Sequence, residues 1–197
     1  MMTKGRLEAF TDGVLAIIIT IMVLELKVPH GGNFEDLKPL LPVFLSYVLS
    51  FIYLAIYWNN HHHMMQTAKH VTGSILWANM HLLFWLSLVP FVTGWMGENH
   101  FTAASVFLYG LILLGAAIAY FILQNLIIKS HGEDSILKKA LDKDVKGKIS
   151  PILYLIGIFS SFFNVWISGT LFILVAIIWL IPDRRIERAL KDEKRIK

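Results

Sequence analysis

The sequence has no cysteine, so disulfides, thiolate metal sites and a cysteine nucleophile are excluded. Charged residues are also scarce: they make up 16% of the 197 residues, whereas about a quarter is usual in a soluble domain. Hydrophobic residues make up 56% and collect in long runs, and the mean hydropathy is +0.61. This composition is typical of an all-α integral membrane protein lying in a lipid bilayer.

Domains outside the bilayer are not expected. No segment between the apolar runs is long enough for a nucleotide-binding or catalytic domain, so we expect the protein to act within the membrane. We expect no cleavable signal peptide, because the flank of the first run is acidic as well as basic and no small-residue cleavage site follows. The net charge of +4 is not taken as a sign of nucleic-acid binding, because basic loops reflect membrane topology.

The apolar runs predict one membrane domain over residues 1–197, of which residues 183–197 form a charged tail. Six helices are expected, at about 7–28, 40–65, 72–95, 102–128, 150–165 and 168–182. The last two form one apolar stretch that is too long for a single helix, and the predicted turn is Asn164 to Gly169. One strongly tilted helix over that stretch is the alternative.

The distribution of basic residues predicts the orientation. With six spans, one side of the membrane holds all but Lys27 and Lys38 of the 18 Lys and Arg residues. Basic loops remain in the cytoplasm, so both termini are expected there. Five spans would place the basic tail outside, which is a reason to prefer six.

The first apolar run is uncharged from Gly13 until Glu25. At helical spacing, one stripe consists of branched apolar side chains with a hydroxyl on its flank: Ile17, Ile21, Leu24, Val28 and Thr20. Asp12 points nearly the opposite way. We interpret the stripe as the lining of an ion pathway; ordinary helix packing is the alternative, and periodicity alone favours it.

Charged residues open the same helix. The first turns contain Arg6, Glu8 and Asp12. Arg6 of the same or a neighbouring subunit is a candidate partner for the Asp12 carboxylate. An ordinary helix start is the alternative, with acids near its positive end.

A polar cluster is predicted where the second helix ends and the third begins. Its residues include Trp58, Asn60, His61, His62, His63, His70, Trp77, Asn79 and His81. Consecutive histidines point about 100° apart on a helix, so they do not bind one ion together. A metal site formed by His63, His70 and His81 would lack acidic ligands. We therefore interpret the cluster as a buried hydrogen-bond network. Because histidine titrates near neutral pH, a pH sensor is a second interpretation.

Enzymatic activity has little support. Asp12 and Glu25 lie about 20 Å apart along one helix, and the serines Ser46, Ser50, Ser87 and Ser160 have no nucleophile motif around them. We therefore expect a protein that is not an enzyme and has no cofactor or bound metal.

The start of the first helix resembles a known family. Arg6-x-x-x-Phe10-Thr11-Asp12, followed by Gly-Val-Leu-Ala-Ile-Ile-Ile-Thr, is similar to the signature of the transmembrane protein 175 family of lysosomal and bacterial potassium channels. The family pattern has Ser where this chain has Thr11, which keeps the hydroxyl. The resemblance extends to the His-rich end of helix two and the Trp-x-Asn start of helix three, and the six-helix plan covers the whole chain.

The resemblance implies a homotetramer in the plasma membrane of a bacterium, with the first helix of each subunit lining a central pore. It implies that Ile17 forms the constriction, that Thr20 is tied to a modest preference for potassium over sodium, and that Ile21 and Leu24 form the next layers. It also implies a network that holds the helices together: Arg6, Phe10, Thr11, Asp12, Trp58, His61, His62, His63, Trp77 and Asn79. The carbonyl-lined filter of ordinary potassium channels is absent from the sequence.

Two other functions stay open. One is a proton- or ion-coupled secondary transporter that uses Asp12 and the histidines of helices two and three. The other is a membrane scaffold without transport. The sequence has no acidic residue at mid-membrane, where a carrier would bind its ion, and this favours the channel.

Overall fold

A computed structural model describes residues 3–132, 135–140 and 145–181. The described chain is helical, which confirms the prediction of an all-α protein. A short 3₁₀ helix, Phe34–Leu40, precedes α2. The α-helices are α1 Lys4–Leu24, α2 Leu41–Gln66, α3 Gly73–Ser87, α4 Val89–Glu98, α5 Ala103–His131, α6 Ile136–Ala140, α7 Val145–Ser160 and α8 Val165–Leu180. The predicted tail lies outside the described residues.

Among the described residues, four helical stretches are long and apolar enough to cross a membrane: Lys4–Leu24, Phe34–Gln66, Gly73–Glu98 and Ala103–His131. Helix α8 is apolar but shorter. The third stretch is broken into α3 and α4 at Leu88, next to Pro90. The proline ring removes a backbone donor and crowds the preceding turn, which is why the helix is interrupted there.

Several predicted boundaries differ from the structure; α7, for example, is Val145–Ser160 instead of 150–165. Helix α1 ends at Leu24, so Val28 lies beyond the helix and is not part of its stripe. The turn between α7 and α8 lies at residues 161–164, before the predicted position. The Asn164 side chain accepts a hydrogen bond from the Trp166 backbone N–H, at 2.9 Å, and this cap starts α8 earlier than the glycine at 169 suggested.

Polar contacts establish which helix ends are neighbours. The Lys4 ammonium donates to the Gln66 carbonyl, at 3.2 Å, and the backbone N–H of Lys69 donates to Nε2 of His131, at 2.8 Å. The start of α1, the α2–α3 loop and the end of α5 are therefore adjacent. At the other end of α1, Lys27 forms an ion pair with Glu98, with 2.5 Å between Nζ and Oε1.

Glycines let α5 approach its neighbours closely. A Cβ at Gly110 would lie 2.5 Å from Phe172, and one at Gly115 would lie 2.5 Å from Trp85. These positions accept α8 and α3 against the backbone of α5, as small residues do between membrane helices. Helix α5 forms the centre of the bundle, and α1 packs mainly against α2, α3 and α4.

Candidate ion pathway and adjoining polar network

Helix α1 has one face inside the subunit and one face outside it. The inner face is formed by Leu7, Thr11, Leu15, Ile18 and Met22, all buried. On the outer face, Ile17 is 59% exposed, Ile21 is 45% exposed and Leu24 is 77% exposed in the single chain. Packing within the subunit therefore does not account for the predicted stripe.

Thr20 lies on this outer face and is also exposed. Its hydroxyl donates to the backbone carbonyl of Ile17, at 2.9 Å. Because the hydroxyl hydrogen is engaged by the helix, the oxygen can present only its lone pairs outward. An outward-facing oxygen acceptor suits a cation.

Behind this face, Asn79 connects α1 with α2. Its Nδ2 donates to the Thr11 hydroxyl at 2.9 Å, and its Oδ1 lies 2.8 Å from Nε2 of His61. An amide oxygen only accepts, so His61 carries the hydrogen on Nε2. All three side chains are buried, and each hydrogen bond offsets the cost of removing these groups from water or lipid headgroups.

Asp12 has a partner that the sequence did not single out for it. The Trp58 indole N–H donates to the Asp12 carboxylate, at 2.9 Å. The ring of His62 stacks on Trp58, with 6.3 Å between centroids, and Nε2 of His62 lies 2.9 Å from the Gln66 amide nitrogen. The first turns of α1 are thus attached to the last turns of α2.

The remaining predicted network residues are more peripheral. Arg6 is exposed, and within the described part of the chain it makes no hydrogen bond or ion pair. Phe10 is half-exposed, Trp77 is 76% exposed on α3, and the His63 ring lies 5.7 Å from that of His62. Arg6, Phe10 and Trp77 therefore present their side chains at the surface of the single subunit.

The histidines considered as metal ligands do not converge. His70 packs against His131, with ring centroids 4.7 Å apart, whereas His81 accepts a hydrogen bond from Trp85 one turn further along α3. Among the described residues, no group of three or more His, Asp or Glu side chains is placed to hold a metal ion.

A charge pair at the opposite end of α1 was missed by the sequence analysis. The Glu98 carboxylate hydrogen-bonds Lys27 and raises the pKa of the lysine above its usual value. Glu25 is exposed at the end of α1 and contributes a smaller effect in the same direction. The sequence did carry a signal for this pair: charged residues are scarce on this side of the protein, so Lys27 has few candidate partners.

Comparison with known proteins gives consistent matches. Residues 6–90 match the family model described as endosomal/lysosomal potassium channel TMEM175. A protein of Chryseobacterium sp. (strain P1-3), named as a potassium channel, is 61% identical over 191 residues, which cover 97% of this chain and 100% of that protein. Another, from Chamaesiphon minutus (strain ATCC 27169 / PCC 6605) and also named as a potassium channel, is 34% identical over 188 residues, covering 86% of this chain and 90% of the relative.

The fold matches a solved structure as well. The crystal structure of a lysosomal potassium-selective channel TMEM175 homologue from Chamaesiphon minutus superimposes with a TM-score of 0.76. The sequence identity is 31%, and the match covers 89% of this chain and 95% of that chain.

Proposed function

The chain belongs to the TMEM175 family, and we infer that it is a potassium channel whose pore is lined by α1. The observation that supports placing the pore on α1 is its outer face, where Ile17, Ile21 and Leu24 are exposed in the single chain directly after the family motif. An apolar, uncharged stripe of this kind is suited to a narrow pore.

A pore built on α1 requires several copies of the chain. One helix cannot enclose a passage by itself, so the stripe must meet its equivalents from other subunits. We take the assembly to be a homotetramer, as the family resemblance implies. The exposed Phe10, Trp58 and Trp77 around the first turns of α1 supply apolar surface for the contacts between subunits.

The constriction is assigned to Ile17. A ring of isoleucine side chains excludes water from a narrow neck, so an ion must shed part of its hydration shell to pass. Potassium sheds its shell more readily than sodium, and the Thr20 oxygen one turn further along can replace part of it. The resulting preference for potassium is modest, because the neck offers few oxygen ligands.

The protein is oriented with both termini in the cytoplasm of a bacterial cell, and α7 and α8 complete six spans. The hydrogen bonds that join the start of α1, the α2–α3 loop and the end of α5 support this arrangement. These ends carry the basic residues, whereas Lys27 and Lys38 lie on the opposite side.

The transporter alternative is weaker on the same geometry. The Asp12 carboxylate is engaged by Trp58, and His61 is engaged by Asn79. His61 is buried, and Asp12, although exposed, points away from the stripe of Ile17, Ile21 and Leu24, so neither is placed to bind and release an ion along that stripe.

The test is potassium flux into liposomes that contain the purified protein. We expect Ile17→Asn to increase flux and to weaken discrimination between potassium and sodium, because an amide side chain keeps the neck hydrated. Ile177→Asn is a matched control, since Ile177 is also 59% exposed but lies on α8; it should leave flux unchanged. Equal flux through wild type and Ile17→Asn would move the constriction away from this residue.

A further inference from the structure

A cavity of about 110 Å³ lies between α2, α5, α7 and α8. In the described part of the chain, no residue of α1 lines it. The cavity is therefore separate from the proposed ion pathway, and its occupancy requires an explanation of its own.

The walls of the cavity are mainly aromatic and aliphatic carbon. The rings of Tyr57 and Tyr120 meet edge to face at 6.1 Å, and Tyr120 meets Trp179 at 6.3 Å. Two polar groups of the lining are hydrogen-bonded within the protein: the Tyr120 hydroxyl donates to the Asn60 carbonyl and the Trp179 indole N–H donates to the Ser150 hydroxyl. A ligand with substantial apolar surface fits such walls.

In the described chain, two other polar side chains of the lining, those of Tyr57 and Gln124, are not hydrogen-bonded in this way. Tyr57 is 8% exposed and Gln124 is 7% exposed, and both line the cavity. Within the described residues, neither the Tyr57 hydroxyl nor the Gln124 amide makes a hydrogen bond. Because both side chains line the cavity, they can donate hydrogen bonds to a ligand that carries an acceptor.

The cavity reaches the outer surface of the bundle. Ile118 and Phe121 line it and are also 46% and 54% exposed on α5. Exposed apolar side chains at this depth of a membrane helix face lipid. A ligand can thus enter from the bilayer.

The polarity of the lining changes along the helices. On α5 the polar residue Gln124 lies closest to the helix end at His131, about 10 Å from it by the rise per residue, and the apolar lining continues toward Ala117. On α2 the order is the same, since the polar residue Asn60 lies closest to the helix end and Ile56 lies further from it. The polar end of the cavity therefore lies near the membrane boundary and the apolar end lies deeper.

Three basic residues lie close in the chain to residues that line the polar end, and one of them, Lys146, donates to the Ile181 carbonyl at 3.1 Å. Lys146 and Lys148 flank Gly147, which lines the cavity, and Lys129 lies at the end of α5. All three lysines are on the side that carries most of the positive charge of the protein. Basic pockets between membrane helices on the cytoplasmic side bind anionic lipid headgroups.

We propose that this cavity binds one acyl chain of an anionic phospholipid. The ester carbonyl accepts hydrogen bonds from Tyr57 and Gln124, and the first methylene groups fill the apolar end. The rest of the chain lies along the exposed face of α5, and the phosphate is placed among the three lysines. A water bonded to Tyr57 and Gln124 would occupy only the polar end, whereas the apolar end near Ala117 is suited to methylene groups.

The test is native mass spectrometry of the purified full-length protein in detergent, titrated with phosphatidylglycerol or phosphatidylcholine. Wild type should bind one phosphatidylglycerol per chain more tightly than phosphatidylcholine. Ala117→Phe fills the apolar end and should weaken phosphatidylglycerol binding about tenfold, the effect of excluding roughly two methylene groups. Leu111→Phe, six residues before Ala117 on α5 and outside the cavity, should leave binding unchanged.

A second pair of variants tests the polar end. Gln124→Leu keeps the side-chain volume and removes the amide, so it should weaken binding several-fold, whereas the neighbouring exposed Asn125→Leu should not. Gln124→Leu also decides the question if Ala117→Phe does not fold. Wild-type binding by both Ala117→Phe and Gln124→Leu, or equal binding of the two lipids by wild type, would overturn the proposal. Because lipid binding is read without ion flux, a failed flux assay would count against the channel alone.

Discussion

At the scale of single residues, the buried amide of Asn79 is one of the connections between the proposed pore helix and α2. It donates to Thr11 on α1 and accepts from His61 on α2. The family resemblance placed Thr11 in a network with His61 and Asn79 without giving the bonds between them; in the structure the Thr11 hydroxyl accepts from Asn79 inside the subunit. The position between α1 and α2 therefore requires a side chain as long as asparagine that both donates and accepts a hydrogen bond.

Replacing Asn79 with leucine tests this connection. Leucine has nearly the same shape but leaves the Thr11 hydroxyl and the His61 ring N–H buried without partners, at a cost of about 1–3 kcal/mol for each group. We expect the protein to unfold several degrees earlier in a thermal denaturation assay in detergent.

Asn125→Leu is the matched control for Asn79→Leu. Asn125 is exposed, and its amide donates only to the Phe121 carbonyl one turn earlier in α5. This variant should unfold at the wild-type temperature. If the two variants were equally stable, the network at Asn79 would not hold α1 in place.

At the scale of elements, the bundle combines close backbone approach with buried hydroxyl contacts. The Ser50 hydroxyl lies 2.6 Å from that of Thr93 and 3.0 Å from that of Tyr109, which joins α2, α4 and α5. In lipid, apolar side chains gain little by packing on each other instead of on acyl chains, so small residues and polar contacts determine which helix faces meet. Hydropathy predicts each helix but does not predict these pairings.

Gly115→Ala tests the close approach of α5 to α3. The added Cβ would lie 2.5 Å from the Trp85 indole, and overpacking of this kind costs about 1–3 kcal/mol. This cost exceeds the gain in helix propensity, which is at most about 1 kcal/mol. We expect a lower unfolding temperature.

The control for this prediction is Gly169→Ala in α8. A Cβ at Gly169 meets no atom within 4 Å, so only the gain in helix propensity remains and stability should be unchanged or higher. A Gly115→Ala protein as stable as this control would show that α3 and α5 can separate without cost.

At the scale of the whole molecule, the distribution of charge predicts an orientation that the helix-end contacts support. The absence of cysteine makes this orientation testable, since any introduced thiol is the only one in the chain. Lys38 lies in the 3₁₀ helix before α2, and Lys69 lies in the α2–α3 loop; both are exposed. They are the marker positions for the two sides.

We expect a membrane-impermeant thiol reagent to label Lys38→Cys in intact cells. Lys69→Cys should be labelled only after the membrane is permeabilised, because basic loops stay in the cytoplasm. Wild type should not be labelled under either condition. Labelling of Lys69→Cys in intact cells would reverse the orientation of the pore and of the lipid cavity.

The sequence by itself determined the class of protein, the approximate position of its apolar helices and the family, because hydropathy, charge and a short motif are local properties. It also located the stripe on α1 from helical periodicity. It did not predict that Trp58 is the partner of Asp12, that Val28 lies beyond the end of α1, or that a cap at Asn164 starts α8 early. Only the tertiary structure decided these points and revealed the cavity beside Tyr57 and Gln124. Such contacts depend on how helices distant in the chain are rotated and spaced against one another, which no local pattern records.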